Sequence, residues 1–234
     1  MNGTKRRDLT IVPITTENYL VIACDSCGAV GIKDGDVYKL PTYYAGKFAA
    51  RVALTEVMCS GASPVVITNG VSSEMYPTGE ETIKGIQEEL ENAGLTDIML
   101  SGSTEENFPT SMTALATTVV GIAKESDLRF KRAAIGDRLI LIDSPKVGIE
   151  VDIKGKGLYQ EISRLLSMPC VKEIVPVGSK GVAYEVETLA ALSDRQAALY
   201  ETRIDYRKSA GPATCLLVLS DKTISFGTVI GEIT

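Results

Sequence analysis

The sequence contains no histidine. That absence removes imidazole general bases, histidine-centred triads and histidine-ligated zinc together. Acid–base or metal work therefore falls to Asp, Glu, Lys, Tyr or Cys. Tryptophan is absent as well, which leaves four Phe and nine Tyr for any stacking. No long basic run occurs. With 24 Lys and Arg against 30 Asp and Glu, a net charge of −6, the composition offers no footprint for nucleic acid or an acidic membrane surface. No uninterrupted apolar run is long enough to span a bilayer. Five scattered cysteines (Cys24, Cys27, Cys59, Cys170, Cys215) and no secretory signal pattern lead to the expectation of a reducing, cytoplasmic compartment. The short Lys5-Arg6-Arg7 cluster reads as solvated surface.

What is present is an ordinary globular balance, 44% hydrophobic and 23% charged over 234 residues, enough for one large domain or two modest ones. Residues 19–24 form a short apolar run read as a buried strand ending at Asp25. Asp34-Gly35-Asp36 marks a turn. Residues 43–59 read as a helix: Tyr44, Phe48 and Val52 share one row, and Ala45, Ala49, Ala53 and Val57 share the next. Gly61 and Pro64 stop it. A strand follows at 65–68. Thr78 to Glu81 has capping-box spacing and opens a helix to about Ala93, ended by Gly94. A strand at 98–100 then enters a polar loop, 101–111, and β-branched residues over 113–122 predict another strand. Charged residues and Gly136-Asp137 interrupt the pattern over 124–137. Beyond them, strands are expected at 138–143, 173–177 and 215–219, with helices at 159–167 and 183–198. The class is mixed α/β (α+β), in two subdomains.

Three places gather chemistry. Asp25 ends its predicted strand and is followed by Ser26, Cys27, Gly28 and Ala29, small residues that let a ligand approach; the other reading is a turn-starting Asp. The helical period carries Glu56 onto the apolar row of Tyr44, Phe48 and Val52, where a carboxylate is costly unless it is paired or bound to a cation. The other reading is an end-of-helix Glu that reaches water or pairs with Arg51 or Lys47. The string Ser101-Gly102-Ser103-Thr104-Glu105-Glu106-Asn107 combines small residues, hydroxyls and acids, a composition suited to Mg²⁺ or to a solvated loop. Cys24-x-x-Cys27 has no second pair to complete a zinc site. Gly46-Lys47 lacks the first Gly and the Ser/Thr of a P-loop. Gly178-Ser179-Lys180-Gly181 precedes a helix, either as an anion-holding loop or as an ordinary helix start.

Together these segments resemble the aminoimidazole-ribonucleotide-synthetase-like superfamily. Ala23-Cys24-Asp25-Ser26-Cys27-Gly28 resembles its T-D-G-V-G type motif. The helix before Ser60-Gly61-Ala62-Ser63-Pro64 resembles the N-D-x-x-x-x-G-A-x-P helix of thiamine-monophosphate kinase, selenophosphate synthetase and the hydrogenase maturation factor. Ser101-Gly102-Ser103-Thr104 resembles G-G-(D/E)-T. Thr55-Glu56 departs from Asn-Asp, and Ser103 from the acidic residue.

The resemblance implies an ATP- and Mg²⁺-binding domain over 1–125, a substrate domain over 126–234, and a homodimer paired through the N-terminal sheets. It implies Mg²⁺ on Asp25, Glu56 and Glu105 or Glu106, and ATP contacts at Asp25, Gly28, Gly61, Gly102, Ser103 and Thr104. Asp8 or Glu106 would orient the acceptor hydroxyl, and Lys180 would face the transferring phosphoryl. Ser179, Lys180 and Gly181 would form the loop for a nucleoside-like substrate. The short chain and its Ser-Gly-Ser-Thr-Glu-Glu-Asn loop are similar to α-ribazole kinase, which phosphorylates the 5′-hydroxyl of α-ribazole for the cobalamin lower ligand. Thiamine-monophosphate kinase chemistry, a catalytically silent ATP-binding assembly protein, and a redox protein using Cys24 and Cys27 are the alternatives.

Overall fold

The computed structural model describes residues 3–234. The chain divides into two compact units. One runs from the first described residues to Val57 and resumes over Ala62–Glu125; the other comprises Met58–Gly61 and Ser126–Thr234. No helix among the described residues is long and apolar enough to cross a membrane.

The first unit carries strands β1 (Thr4–Arg6), β2 (Leu9–Pro13), β3 (Asn18–Gly28), β4 (Val30–Gly31) and β5 (Tyr38–Lys39), then helix α1 (Thr42–Cys59). After it come β6 (Ser63–Val71), α2 (Glu80–Ala93), β7 (Met99–Thr104) and β8 (Ala114–Lys124). Its main sheet has the order β1-β2-β3-β8-β6-β7, antiparallel except for the parallel pair β6 and β7 that α2 connects. Period-two patterning builds it: Val21 and Ala23 of β3 and Leu115, Thr117 and Val119 of β8 are buried, while Cys24, Ser26 and Ala116 face outward. The alternation continues through Asp25 to Gly28, paired down to Ala114, so Asp25 lies within a strand and not at its end.

Helix α1 lies on the buried face. Ala45 and Ala49 pack on Val71 and Leu115, and the small side chains bring the helix close to the sheet. Its contact with α2 is tighter still. A Cβ on Gly46 would overlap the Thr82 carbonyl, and one on Gly85 the Tyr43 carbonyl. Helix α2 departs from expectation at its start. A wide turn, Met75–Gly79, precedes it, and the Thr78 hydroxyl donates to Glu74 instead of capping the helix. Glu80 and Glu81 in the first turn complement the N-terminal end of the helix dipole. The far end is as the sequence predicts, with Gly94 left-handed at φ 70°.

The second unit contains β9 (Arg138–Ile142), α3 (Tyr159–Leu166), β10 (Val171–Pro176), α4 (Gly181–Leu192), β11 (Ala197–Leu199), β12 (Leu216–Ser220) and β13 (Thr228–Ile233). Its five-stranded sheet, β10-β12-β9-β13-β11, is antiparallel throughout. Val182, Val186, Leu189 and Ala190 of α4 pack with Leu139, Leu141, Leu217 and Leu219 of the central strands. The helix expected over 183–198 stops at Leu192. Asp194 takes φ 55°, the chain turns, and Ala197–Leu199 pairs with Gly231–Ile233 as an edge strand.

Candidate functional site

Residues 7 and 8 form the two-residue tip between β1 and β2, whose last pair is Arg6 with Leu9. Leu9 lies opposite Ala23, so the tip falls beside Asp25. Asp25 is half-buried, and its carboxyl is raised to about 6. Burial is the main cause; the Ser26 amide opposes it, and the negative charge of Asp8 adds to it. Asp8 itself is exposed. Arg7 adopts φ 51°, and its guanidinium donates to Glu56 at 3.3 Å, with both side chains 7% exposed. Glu56 therefore has a protein cation in Arg7, a residue outside its own helix. Lys47 is bound to Glu88 at 2.8 Å, and Arg51 holds Glu89 through two bonds of 2.7 and 3.0 Å.

Ser101 to Thr104 belong to β7 and not to a loop; Gly102 lies opposite Asn69, which lies opposite Thr117, which lies opposite Asp25. A Cβ on Gly102 would overlap the Asn69 carbonyl, so this glycine is needed for the strand approach itself. Asn69 is buried and donates its amide protons to the Ala116 carbonyl and the Thr117 hydroxyl, leaving its side-chain oxygen as an acceptor. On its side of the sheet a cleft of about 480 Å³ opens, walled by Asn69, Met75, Ile83, Gln87, Leu100 and β7 from Ser101 to Thr104. It lies along the parallel β6–β7 pair, and Val71 and Thr104, their last residues, line it. A shallower hollow of about 500 Å³ is bounded by Gly70, Ser72, Ser103, Thr104 and Glu105.

The acids after β7 serve the local backbone. Glu105 accepts from the amides of Asn107 and Phe108, which hold its carboxyl below the usual range. Glu106 accepts from the Met75 amide at 2.8 Å and the Thr104 hydroxyl at 2.7 Å, tying β7 to the turn before α2. Gly28 stands at the exposed end of β3 with open space where a Cβ would be. Gly61, at φ 89°, leaves room for the Asp127 carbonyl. In the second unit Ser179 and Lys180 are exposed, and Lys180 Nζ sits 4.2 Å over the Tyr184 ring. Gly181, at φ 80°, makes room for the backbone of Tyr206 to Lys208.

Mg²⁺ asks for hard oxygen ligands converging on one point. Asp25, Glu56 and Glu105 do not converge: no three Asp, Glu or Cys side chains among the described residues are grouped to hold an ion. Glu56 is engaged by Arg7 and Glu105 by backbone amides, so the three-carboxylate set does not fit. Cys24 and Cys27, three apart on one strand, face opposite sides of the sheet, Cys24 outward and Cys27 toward Ala45. A disulfide between them is precluded, and burial with the charges of Asp25 and Asp36 pushes the Cys27 thiol up to about 11.

Residues 6–123 match the family model for the AIR synthase related protein, N-terminal domain. The chain belongs to the AIR synthase related protein family. No curated protein sequence matches this family member. Its fold is that of several solved relatives. Thiamine monophosphate kinase (ThiL) of Aquifex aeolicus is similar with a TM-score of 0.72 at 14% identity, over 98% of this chain and 89% of that one. T. maritima PurL complexed with ADP gives 0.73 at 13%, over 99% of this chain and 42% of that one, so the chain spans about two fifths of PurL. E. coli HypE, a hydrogenase maturation protein, gives 0.66 at 16%, over 92% and 79%. The sequence singles out none of Arg7, Asn69 and Gln87 as site residues. Asn69 had a signal, a polar residue at period two between Ile67 and Val71; Arg7 had none.

Proposed function

We propose that this AIR synthase related protein is an ATP-dependent small-molecule phosphotransferase, taking the nucleotide as its Mg²⁺ complex and an alcohol as acceptor. The cleft beside the β6–β7 pair carries the reading. Apolar walls from Ile83, Met75 and Leu100, with amide groups on Asn69 and Gln87, suit a heteroaromatic base held in one orientation. Crossover strand ends are where α/β sheets usually seat ligands. Support also comes from relatives of this fold that were solved as ThiL with AMPPCP and TMP and as PurL with ATP.

The acceptor we assign is the 5′-hydroxyl of α-ribazole, with Asp8 orienting that hydroxyl. Phosphoryl transfer needs positioning and charge compensation more than covalent help from side chains. The outward face of the first unit's sheet, with Val65, Met99 and Ile122 exposed, supports pairing of two copies.

The test is incubation with MgATP and either α-ribazole or thiamine monophosphate, read as ADP release and as gain of a phosphoryl mass on one acceptor. Phosphorylation of α-ribazole alone is the expected result; phosphorylation of thiamine monophosphate refutes the acceptor. ATP binding without ADP release on either acceptor favours a silent assembly protein, a second reading favoured by the engagement of Glu56 with Arg7.

A further inference from the structure

Asn69 lies on the inward side of β6 between the buried Ile67 and Val71, and is itself 5% exposed. A polar side chain so placed needs its bonds made, and a group left without one needs a reason. Its Nδ2 donates twice toward β8, at 3.1 Å to the Ala116 carbonyl and at 2.9 Å to the hydroxyl of the fully buried Thr117. A carbonyl can only accept, so these bonds fix which end of the amide is nitrogen. Turning the amide over would set two carbonyl oxygens against each other. The side-chain oxygen is therefore held away from β8, on the side of β7 and the cleft that Asn69 lines, where no described residue donates to it. Gly102, opposite Asn69 on β7, has no side chain to cover it, and a Cβ there would overlap the Asn69 backbone. Gln87, on the α2 wall, is exposed, and its amide bonds to no other described residue, so it can turn to suit what binds. The cleft thus makes one fixed demand, a donor for Asn69, and offers one adaptable group.

We propose that Asn69 reads the base of the nucleotide by accepting from its exocyclic amine, so that the cleft selects adenine through N6. The inference rests on reading the cleft as the base site. Sugar and phosphates stay toward solvent, so a purine enters with the edge opposite its sugar leading, the edge on which adenine carries the N6 donors. Ile83, Met75 and Leu100 supply apolar contact to the ring. Thr117 acts through the Asn69 amide and is a positioning residue.

The test compares ATP with purine riboside triphosphate, the same nucleotide with hydrogen in place of the amine. Both are titrated with Mg²⁺ into the full chain by isothermal calorimetry, with folding checked by circular dichroism. Wild type is expected to bind ATP about tenfold more tightly, since the analogue leaves the Asn69 oxygen without a donor. N69A should bind the two alike, at about the affinity that wild type has for the analogue. T117V, which removes one of the two bonds holding the amide, should narrow the preference to about threefold. Equal binding of the two by wild type, or a folded N69A that keeps its preference, overturns the proposal. Should N69A fail to fold, T117V decides: a narrowed preference supports the assignment, and equal weakening of both nucleotides refutes it. ATP that fails to bind at all sinks the nucleotide reading and this assignment together, whereas ATP bound with no preference over the analogue removes the assignment alone.

Discussion

Glu89 has no solvent exposure, and Arg51 clasps it through Nε at 2.7 Å and Nη2 at 3.0 Å across the α1–α2 contact. Glu89→Ala would leave a guanidinium buried without its carboxylate. The Phe48 ring, 5.2 Å from the guanidinium carbon, remains but cannot neutralise the charge. The helices have little freedom to part and admit water, because Gly46 and Gly85 already bring their backbones into contact. Removing one partner of such a pair costs about 3–5 kcal/mol, whereas replacing both by apolar groups of similar volume is close to neutral or stabilising. At about 3 °C per kcal/mol for a chain of this length, E89A should lower Tm by roughly 10 °C. R51M/E89L should stay within about 1 kcal/mol of wild type. Urea unfolding followed by circular dichroism measures both. The gap should persist in high salt, since screening acts weakly on a pair removed from solvent. An E89A cost below about 1 kcal/mol, or a double variant as damaged as the single, would refute the reasoning.

Asp25 gives a pH prediction. Its folded pKa of about 6 lies above the ordinary value of 3.8, so its contribution to stability is full below about pH 4 and lost as pH rises through 6. D25N should remove that slope and exceed wild type in Tm at neutral pH without metal; a parallel pH profile in the two proteins counts against it. Gly85→Ala forces a methyl into the Tyr43 carbonyl and should cost about 1–3 kcal/mol, read as a lower urea midpoint. Iodoacetamide should label exposed Cys24 well before buried Cys59 and Cys215, and mild oxidation should give no Cys24–Cys27 bridge by peptide mass.

The secondary structure was legible wherever one periodicity ran unbroken. Helix α1 shows its two rows openly, and Gly94 announces the end of α2. Strand β3 was cut short because Asp25 looked like a terminus; only its pairing with β8 shows the alternation continuing. Ser101 to Thr104 have loop composition and take strand geometry because β6 alongside supplies the hydrogen bonds, a tertiary influence that outweighs propensity. The edge strand β11, Ala-Ala-Leu, is hidden for the same reason, whereas β13 carries strand-favouring Thr228, Val229, Ile230 and Ile233 that the sequence reading passed over. At the candidate site, Glu56 is buried, as a place on the apolar side of α1 requires, but the helical period could not name its cation. Arg7 sits 49 positions away, and no local pattern links the two.

The place of β8 in the first unit bears on how the chain reaches this state. Strand β8 pairs with β3 along eleven register positions whose partners stand 86 to 106 residues apart in sequence, and its other edge pairs with β6. Before it docks, two locally connected pieces can form: the β1–β2–β3 meander and the β6–α2–β7 crossover. Neither can complete the sheet, since among the described residues no strand pairing joins them except through β8. Closing the largest loop late makes insertion of β8 the expected slow step of this unit. Until then the β3 and β6 edges that receive it stand open to pairing with other chains. Refolding yield should therefore fall with protein concentration, even for variants whose final stability is unchanged.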